Sequence, residues 1–230
     1  MSGDTTASAV CFMTAFGSAS ATWPDELWTG SVSWVDAILR SYYGIYEFTD
    51  DPACVLRVGL GQAPASVSLS DGTCVEIGEL VGILHFWNEH LPRYPATGPS
   101  LGWACAMRDR VVYSLQAFAE YIENDAAWRD VRAIRSETAW PARLGTAQIG
   151  RVFQRYGFER VPTATTLRAR LHGFGENFVL WGLTRAFNPA ALPRQPFFRD
   201  RHELWISRAT LLRRYRNGPA GDRAEQHRGI

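Results

Sequence analysis

An apolar run that stops, turns back through an Asp-Gly pair and resumes is what most constrains the fold of this chain. Residues 54–91 read CVLRVGL and then, after a short break, ASVSLSDGTCVEIGELVGILHFWNEHL. Cys54–Leu60 has the β-branched and apolar content of a strand between turn residues. Ser66–Leu69 and Thr73–Ile77 form two further strands about Asp71-Gly72. Asp-Gly between such runs is a strong hairpin signal, because tight hairpin turns need positive φ and glycine adopts it without steric cost. Gly78-Glu79 then opens a predicted helix to about Leu91, with Leu80, Ile83, Leu84, Trp87 and Leu91 as its buried stripe. In such a helix His85, Asn88 and Glu89 stand at i, i+3 and i+4 and share one face.

The rest of the chain alternates helical and extended patterns. Val32–Tyr43 carries apolar residues at helical spacing, and a longer helix is predicted from Leu101 to Asn124. Val131–Thr138 is a predicted strand, Gly145–Tyr156 a helix ending at a glycine cap, and Phe158–Val161 a strand. Thr166–Phe187 is helical in pattern and is expected to kink near Gly173. Glu203–Ser207 reads as a strand and Ala209–Tyr215 as a basic helix. The expected fold class is α+β: a single domain in which a small mixed sheet with a β-hairpin packs against several helices. Residues 1–30 are expected to be a flexible leader, 31–216 the domain, and 217–230 a disordered polar tail.

Composition removes several function classes. The chain has 230 residues, which suits one domain. All 24 basic residues are arginine. With no lysine there is no Schiff-base amine and no phosphate-loop lysine. The net charge of +1 gives no reason to expect nucleic acid as a partner. None of the four cysteines has a C-x-x-C neighbour, so no zinc ribbon or dithiol is predicted, and Cys54 and Cys74 are expected as small buried thiols. No cofactor or metal is expected. No stretch approaches ~20 apolar residues, and the N-terminus lacks the basic start of a secretion signal. A cytoplasmic protein, peripheral to the membrane at most, is the expectation.

Three groups of residues could carry chemistry. His85, Asn88 and Glu89 could border a cleft, with His85 as a base or ligand and Glu89 as its orienter. A satisfied, partly buried histidine explains the same pattern. Asp71-Gly72-Thr73 is already explained by the hairpin turn, and any chemical role for Asp71 would be additional. Arg135-Ser136-Glu137-Thr138 closes a predicted strand, where polar residues often line clefts. Farther on, Phe178, Trp181, Arg185, Phe197 and Phe198 mix aromatic and basic character and suit a membrane interface or partner surface, although core packing accounts equally for the apolar ones.

The order and spacing of several short motifs resemble the YkoP-like domain family of bacterial proteins. The matching residues are Leu69-Ser70-Asp71-Gly72-Thr73 and His85-Phe86-Trp87-Asn88-Glu89, then Ser114-Leu115, Ala119, Tyr121, Thr138 and Gly157-Phe158-Glu159. Ile206-Ser207, Leu211 and Tyr215 complete the set. The similarity spans about residues 34–216. It implies Asp71, His85, Asn88 and Thr138 as the candidate catalytic or binding positions. Related domains occur joined to polysaccharide deacetylase domains, so the resemblance also implies a place in envelope polysaccharide or glycolipid metabolism. Three readings follow: a ligand-binding or accessory protein, a transferase with His85 as general base, or a protein-interaction module. The expected partners are an anionic lipid or a membrane-associated envelope enzyme, with a small-molecule ligand at the polar cluster.

Overall fold

Leu80-Val81-Gly82-Ile83-Leu84-His85-Phe86 lies at the centre of the molecule, and it is a strand, not the first half of a helix. The computed structural model describes residues 43–98, 100–140, 146–161 and 200–216, with a few more between 34 and 41 and at 182, 184 and 185. Its main sheet has six strands in the order β1-β2-β5-β6-β8-β7. These are β1 (Ile45–Tyr46), β2 (Leu56–Gln62), β5 (Leu80–Phe86), β6 (Ala133–Trp140), β7 (Glu159–Val161) and β8 (Asp200–Ser207). A separate hairpin pairs β3 (Val67–Ser68) with β4 (Cys74–Val75). Every neighbouring pair in the main sheet is antiparallel except β5 and β6, which are parallel. A parallel pair needs a long crossover, and the helix α1 (Leu101–Asn124) supplies it. Helices α2 (Thr146–Arg155) and α3 (Arg208–Tyr215) follow along the chain.

The predicted helix over 78–91 fails for a specific reason. β5 is flanked on both sides, by β2 across seven residue pairs and by β6. One face is covered by the helices and the other in part by the hairpin, so the strand is apolar almost throughout and loses the alternation that would betray it. A continuous apolar run satisfies helical spacing by accident. Gly82 and the β-branched Val81 and Ile83 are the residues that argue for a strand. A Cβ at Gly82 would stand 2.6 Å from Trp128 Cζ3 and 3.0 Å from Ile134 Cγ1, so a bare backbone is required where the Trp128 ring lies on the sheet. Asn88–His90 then forms one short 3-10 turn.

The hairpin forms where Asp71-Gly72 places it. Gly72 takes a φ of 87°, the amide of Gly72 donates to Leu69 O at 3.0 Å, and the Thr73 amide donates to Asp71 Oδ1 at 3.0 Å. The long helix matches its predicted span, with the Ser100 hydroxyl accepting from the Trp103 amide as N-cap. Trp34, Ala37, Ile38, Arg40, Ser41 and Tyr43 are helical, in line with the pattern of residues 32–43. The leader over 1–30, the tail over 217–230 and most of the segment from 166 to 199 lie outside the described residues.

Strand alternation divides the sheet into two faces. Leu56, Val58, Leu84, Ile134, Leu204 and Ile206 face the helices and join Leu115, Phe118, Ile122, Leu211 and Tyr215 in the larger core. The opposite face is partly covered by the hairpin, where Val67, Leu69 and Val75 meet Val81, Ala133 and Trp205. Ser114 ties helix to sheet: its hydroxyl accepts from the Val55 amide at 2.9 Å and donates to Arg110 O at 2.7 Å. Cys54 is buried as expected, but Cys74 is exposed, because it sits on the outer side of a two-residue strand in the hairpin. Among the described residues no helix is long and apolar enough to cross a membrane.

Candidate functional site

Arg57 interrupts the apolar run of β2, and in the sheet it stands directly across the ladder from His85. Opposed residues in a ladder project from the same face. That face is the one turned away from the helices, since the neighbouring pairs Leu56–Phe86 and Val58–Leu84 point into the larger core. The Arg57 guanidinium is 4% exposed as a residue. Its Nη2 lies 3.0 Å from Glu47 Oε1 and 3.4 Å from Glu89 Oε1. The guanidinium carbon sits 4.8 Å from the centre of the Trp87 ring, within cation–π range. Trp87 stacks in turn on His90, with ring centres 3.6 Å apart. His90 Nδ1 donates to the Cys54 carbonyl at 2.9 Å, which fixes the tautomer and orientation of that ring.

Two strands away, Arg135 continues the polar row. It faces Ile83 in the parallel ladder, so it projects from the same face as Arg57 and His85. Its Nη1 donates to Glu203 Oε1 at 3.1 Å, and Glu203 is buried. Trp205 Nε1 donates to the other Glu203 oxygen at 3.4 Å. Arg57, His85, Arg135 and Glu203 thus cross four adjacent strands on one face, with Glu47 and Glu89 at its edge. Such a row offers two planar guanidinium groups, each suited to bidentate contact with a carboxylate or phosphate. Among the described residues no group of three or more His, Cys, Asp or Glu side chains is gathered closely enough to hold a metal ion.

The four positions singled out from sequence do not converge. His85 lies in the polar row, and Asn88 follows it in the 3-10 turn, half-buried. The helical face shared by His85, Asn88 and Glu89 does not exist, because β5 and the turn replace the helix. Glu89 reaches the row by its ion pair with Arg57. Thr138 pairs with His202 at the backbone of β6 and β8, and its side chain lies outside the described residues. Asp71 is elsewhere. Its Oδ2 accepts from the hydroxyls of Ser207 and, at 3.0 Å, Thr210, at the start of α3. Ser207 pairs with Ala133, two residues before the position that faces Ile83, and His85 is two residues beyond Ile83. Four residues of strand separate the two sites along the sheet, about 13 Å at about 3.3 Å per residue. The Ser207 hydroxyl, helped by the Thr73 amide and Thr210, lowers the Asp71 carboxyl to about 2. Of the surface residues predicted for a membrane or partner, Arg185 is described and is exposed. Phe178, Trp181, Phe197 and Phe198 lie outside the described residues.

Sequence reasoning passed over Arg57, Glu47 and Glu203. The signal for Arg57 was available: a charged residue inside CVLRVGL breaks a run that otherwise has no polar side chain. Glu47 and Glu203 carry no local signal, since only the sheet brings them to the arginines.

The helix-facing side holds a different feature. A cavity of about 130 Å³ opens between the sheet, α1 and α2. Its walls include Leu56, Leu84, Val111, Phe153, Phe158 and Leu204, with Ser136 among them and His85 at the β5 side. Arg135 and Ser136 are neighbours in sequence and serve opposite faces.

No curated protein and no solved structure matches the chain. The YkoP domain family does match, over residues 33–215, a span that holds every strand and helix named above. With most of its length covered by that match, the chain belongs to the YkoP domain family.

Proposed function

We propose that this protein binds an anionic saccharide or glycolipid headgroup and serves envelope polysaccharide or glycolipid metabolism as a ligand-binding or accessory protein. In this reading it works in the cytoplasm at the membrane surface, beside an anionic lipid or a membrane-associated envelope enzyme. The observation that carries the proposal is the burial of Arg57 between two carboxylates on the sheet face that also bears His85, Arg135 and Glu203. A buried ion pair is commonly no more stabilising than apolar residues of the same volume. Its retention across four strands is better explained by recognition than by stability. Glu47 is 36% exposed and is the carboxylate most readily displaced by an incoming phosphate or uronate. Membership in the YkoP domain family, with its resemblance-based link to polysaccharide deacetylases, supports the choice of envelope chemistry.

Native mass spectrometry of the gently purified full chain, followed by titration with sugar phosphates and with phosphatidylglycerol vesicles at low salt, tests the proposal. A retained or titratable anionic glycan or glycolipid, weakened by Arg57→Met, supports it. A bare chain that neither binds sugar phosphates nor sediments with vesicles overturns it. His85→Ala separates binding from catalysis: loss of a turnover with binding and fold intact would favour a transferase with His85 as general base.

A further inference from the structure

Glu47 Oε1 is held by two guanidinium groups at once. Arg40 Nη1 donates to it at 3.1 Å, and Arg57 Nη2 lies 3.0 Å away. Two arginines converging on one anionic oxygen form the kind of contact that binds a phosphate or carboxylate. Glu47 is the most exposed of the three side chains, and Arg57 is buried. The glutamate can therefore swing into water while the Arg57 guanidinium stays in the protein. Arg40 and Arg57 then present two positive groups to an incoming anion.

On the other side of Arg57 stands a carboxylate with spare capacity. Glu89 Oε1 reaches Arg57 Nη2 at a long 3.4 Å, and Glu89 Oε2 is buried with no hydrogen-bond partner among the described residues. An ionised carboxylate accepts up to about four hydrogen bonds, and a buried oxygen that accepts none costs free energy. A bare anion cannot satisfy it, because it needs a donor, and a hydroxyl group is one. Glu47 and Glu89 meet the same nitrogen of Arg57, so an oxygen that replaces Glu47 Oε1 has the Glu89 carboxylate beside it. The hydroxyl must then be carried within a few bonds of the anionic group. We propose that Glu47 is a resident stand-in for the ligand in a two-arginine clamp of Arg40 and Arg57, and that the ligand is a hydroxylated anion whose hydroxyl donates to Glu89. The class is a phosphate ester or carboxylate with a neighbouring hydroxyl, as in glycerol phosphates, sugar phosphates and uronates, and not a simple alkyl phosphate. This inference rests on the reading of Arg57 as an anion-binding residue and adds Arg40, Glu47 and Glu89 as determinants of affinity and choice.

Calorimetric titration of the full chain with glycerol 1-phosphate and with n-propyl phosphate, which differ in their hydroxyl groups, tests the proposal. Glycerol 1-phosphate is expected to bind about tenfold more tightly, as one hydrogen bond to a charged group provides. Glu89→Gln should cut that preference to about threefold or less, since the bond becomes neutral, and leave propyl phosphate no weaker. Glu47→Gln should tighten both ligands about threefold or more, because the clamp no longer closes on its own side chain. An ion pair with a purely structural role would leave affinity unchanged or lower it. Arg40→Met should weaken both ligands, and melting curves of each variant report its fold. Equal affinities for the two phosphates in the wild type overturn the role of Glu89. Binding that fails to tighten in Glu47→Gln, or is unchanged in Arg40→Met, overturns the clamp. Weakening by Arg57→Met in the same titration would then leave the reading of Arg57 standing. No binding of either phosphate by the wild type overturns the inference, and the reading of Arg57 with it if vesicles are not bound either.

Discussion

Asp71 holds the hairpin against the start of α3, and its removal has a consequence that depends on pH. Its carboxylate accepts hydroxyl hydrogen bonds from Ser207 and Thr210, and Ser207 Oγ in turn accepts from the Thr210 amide at 2.9 Å. A negative charge at the start of a helix also meets the positive end of its dipole. Lowering the carboxyl from its ordinary 3.8 to about 2 corresponds to about 2.4 kcal/mol of preference for the ionised, folded form. Asp71 is exposed, and screening by solvent reduces this to on the order of 1 kcal/mol. The sign follows from the direction of the shift. A carboxyl whose folded value is depressed contributes fully above its unfolded value and loses that contribution as pH falls through its folded value. The stabilisation is therefore present above pH 3.8 and disappears toward pH 2. Asp71→Asn keeps the size of the side chain and removes the charge. At pH 6 the variant should unfold at lower urea concentration with an unchanged slope, by on the order of 1 kcal/mol. The gap should narrow steadily as pH falls from 4 to about 2. A gap that is absent at pH 6, or constant down to pH 2, would falsify this account of Asp71.

Three other substitutions test the packing and the polar row. Gly82→Ala places a methyl 2.6 Å from the buried Trp128 ring and should cost about 1–3 kcal/mol by overpacking; an unchanged midpoint in urea would contradict that contact. Ser114→Ala leaves the buried Val55 amide without its acceptor and should cost about 1–3 kcal/mol, with faster hydrogen exchange at that amide as the specific sign. Arg57→Met leaves Glu89, whose Oε2 is already buried with no hydrogen-bond partner among the described residues, beside an apolar side chain. A loss of about 3 kcal/mol is expected, with part of it recovered in Arg57→Met/Glu89→Gln, and equal stability of the single and double variants would show that the pair is not coupled.

The parts of the fold that were legible in the sequence are those governed by local rules. The Asp71-Gly72 turn needs only the conformational freedom of Gly72, and it formed where expected. Leu101–Asn124 is long, amphipathic and capped by Ser100, and neighbouring elements did not change its span. β5 was misread because tertiary packing on both faces erased its alternation. The decisive contact is between Gly82 and Trp128, 46 residues apart in sequence, and no local pattern announces it. The candidate site divides along the same line. His85 was visible as a polar residue in an apolar run. Its partner across the ladder, Arg57, was visible in the same way, but their opposition depends on the β2–β5 register. Asp71 was grouped with His85 by sequence, whereas the sheet puts the two about four residues apart along its strands.

Strand alternation gives the polar residues of this sheet a meaning that surface residues lack. On a half-solvated strand a polar side chain facing water needs no explanation. Here solvation does not account for Arg57, Glu203 or Ser136, which are buried, or for Arg135, whose side chain is 19% exposed. On the hairpin face Arg57 pairs with Glu47 and Glu89, and Arg135 pairs with Glu203. Ser136, one residue along from Arg135, turns to the helix face and lines the cavity there. A slip of one residue in the β5–β6 register would exchange these environments, burying a guanidinium against Phe153 and Leu204. The register is therefore held by electrostatics as well as by apolar packing.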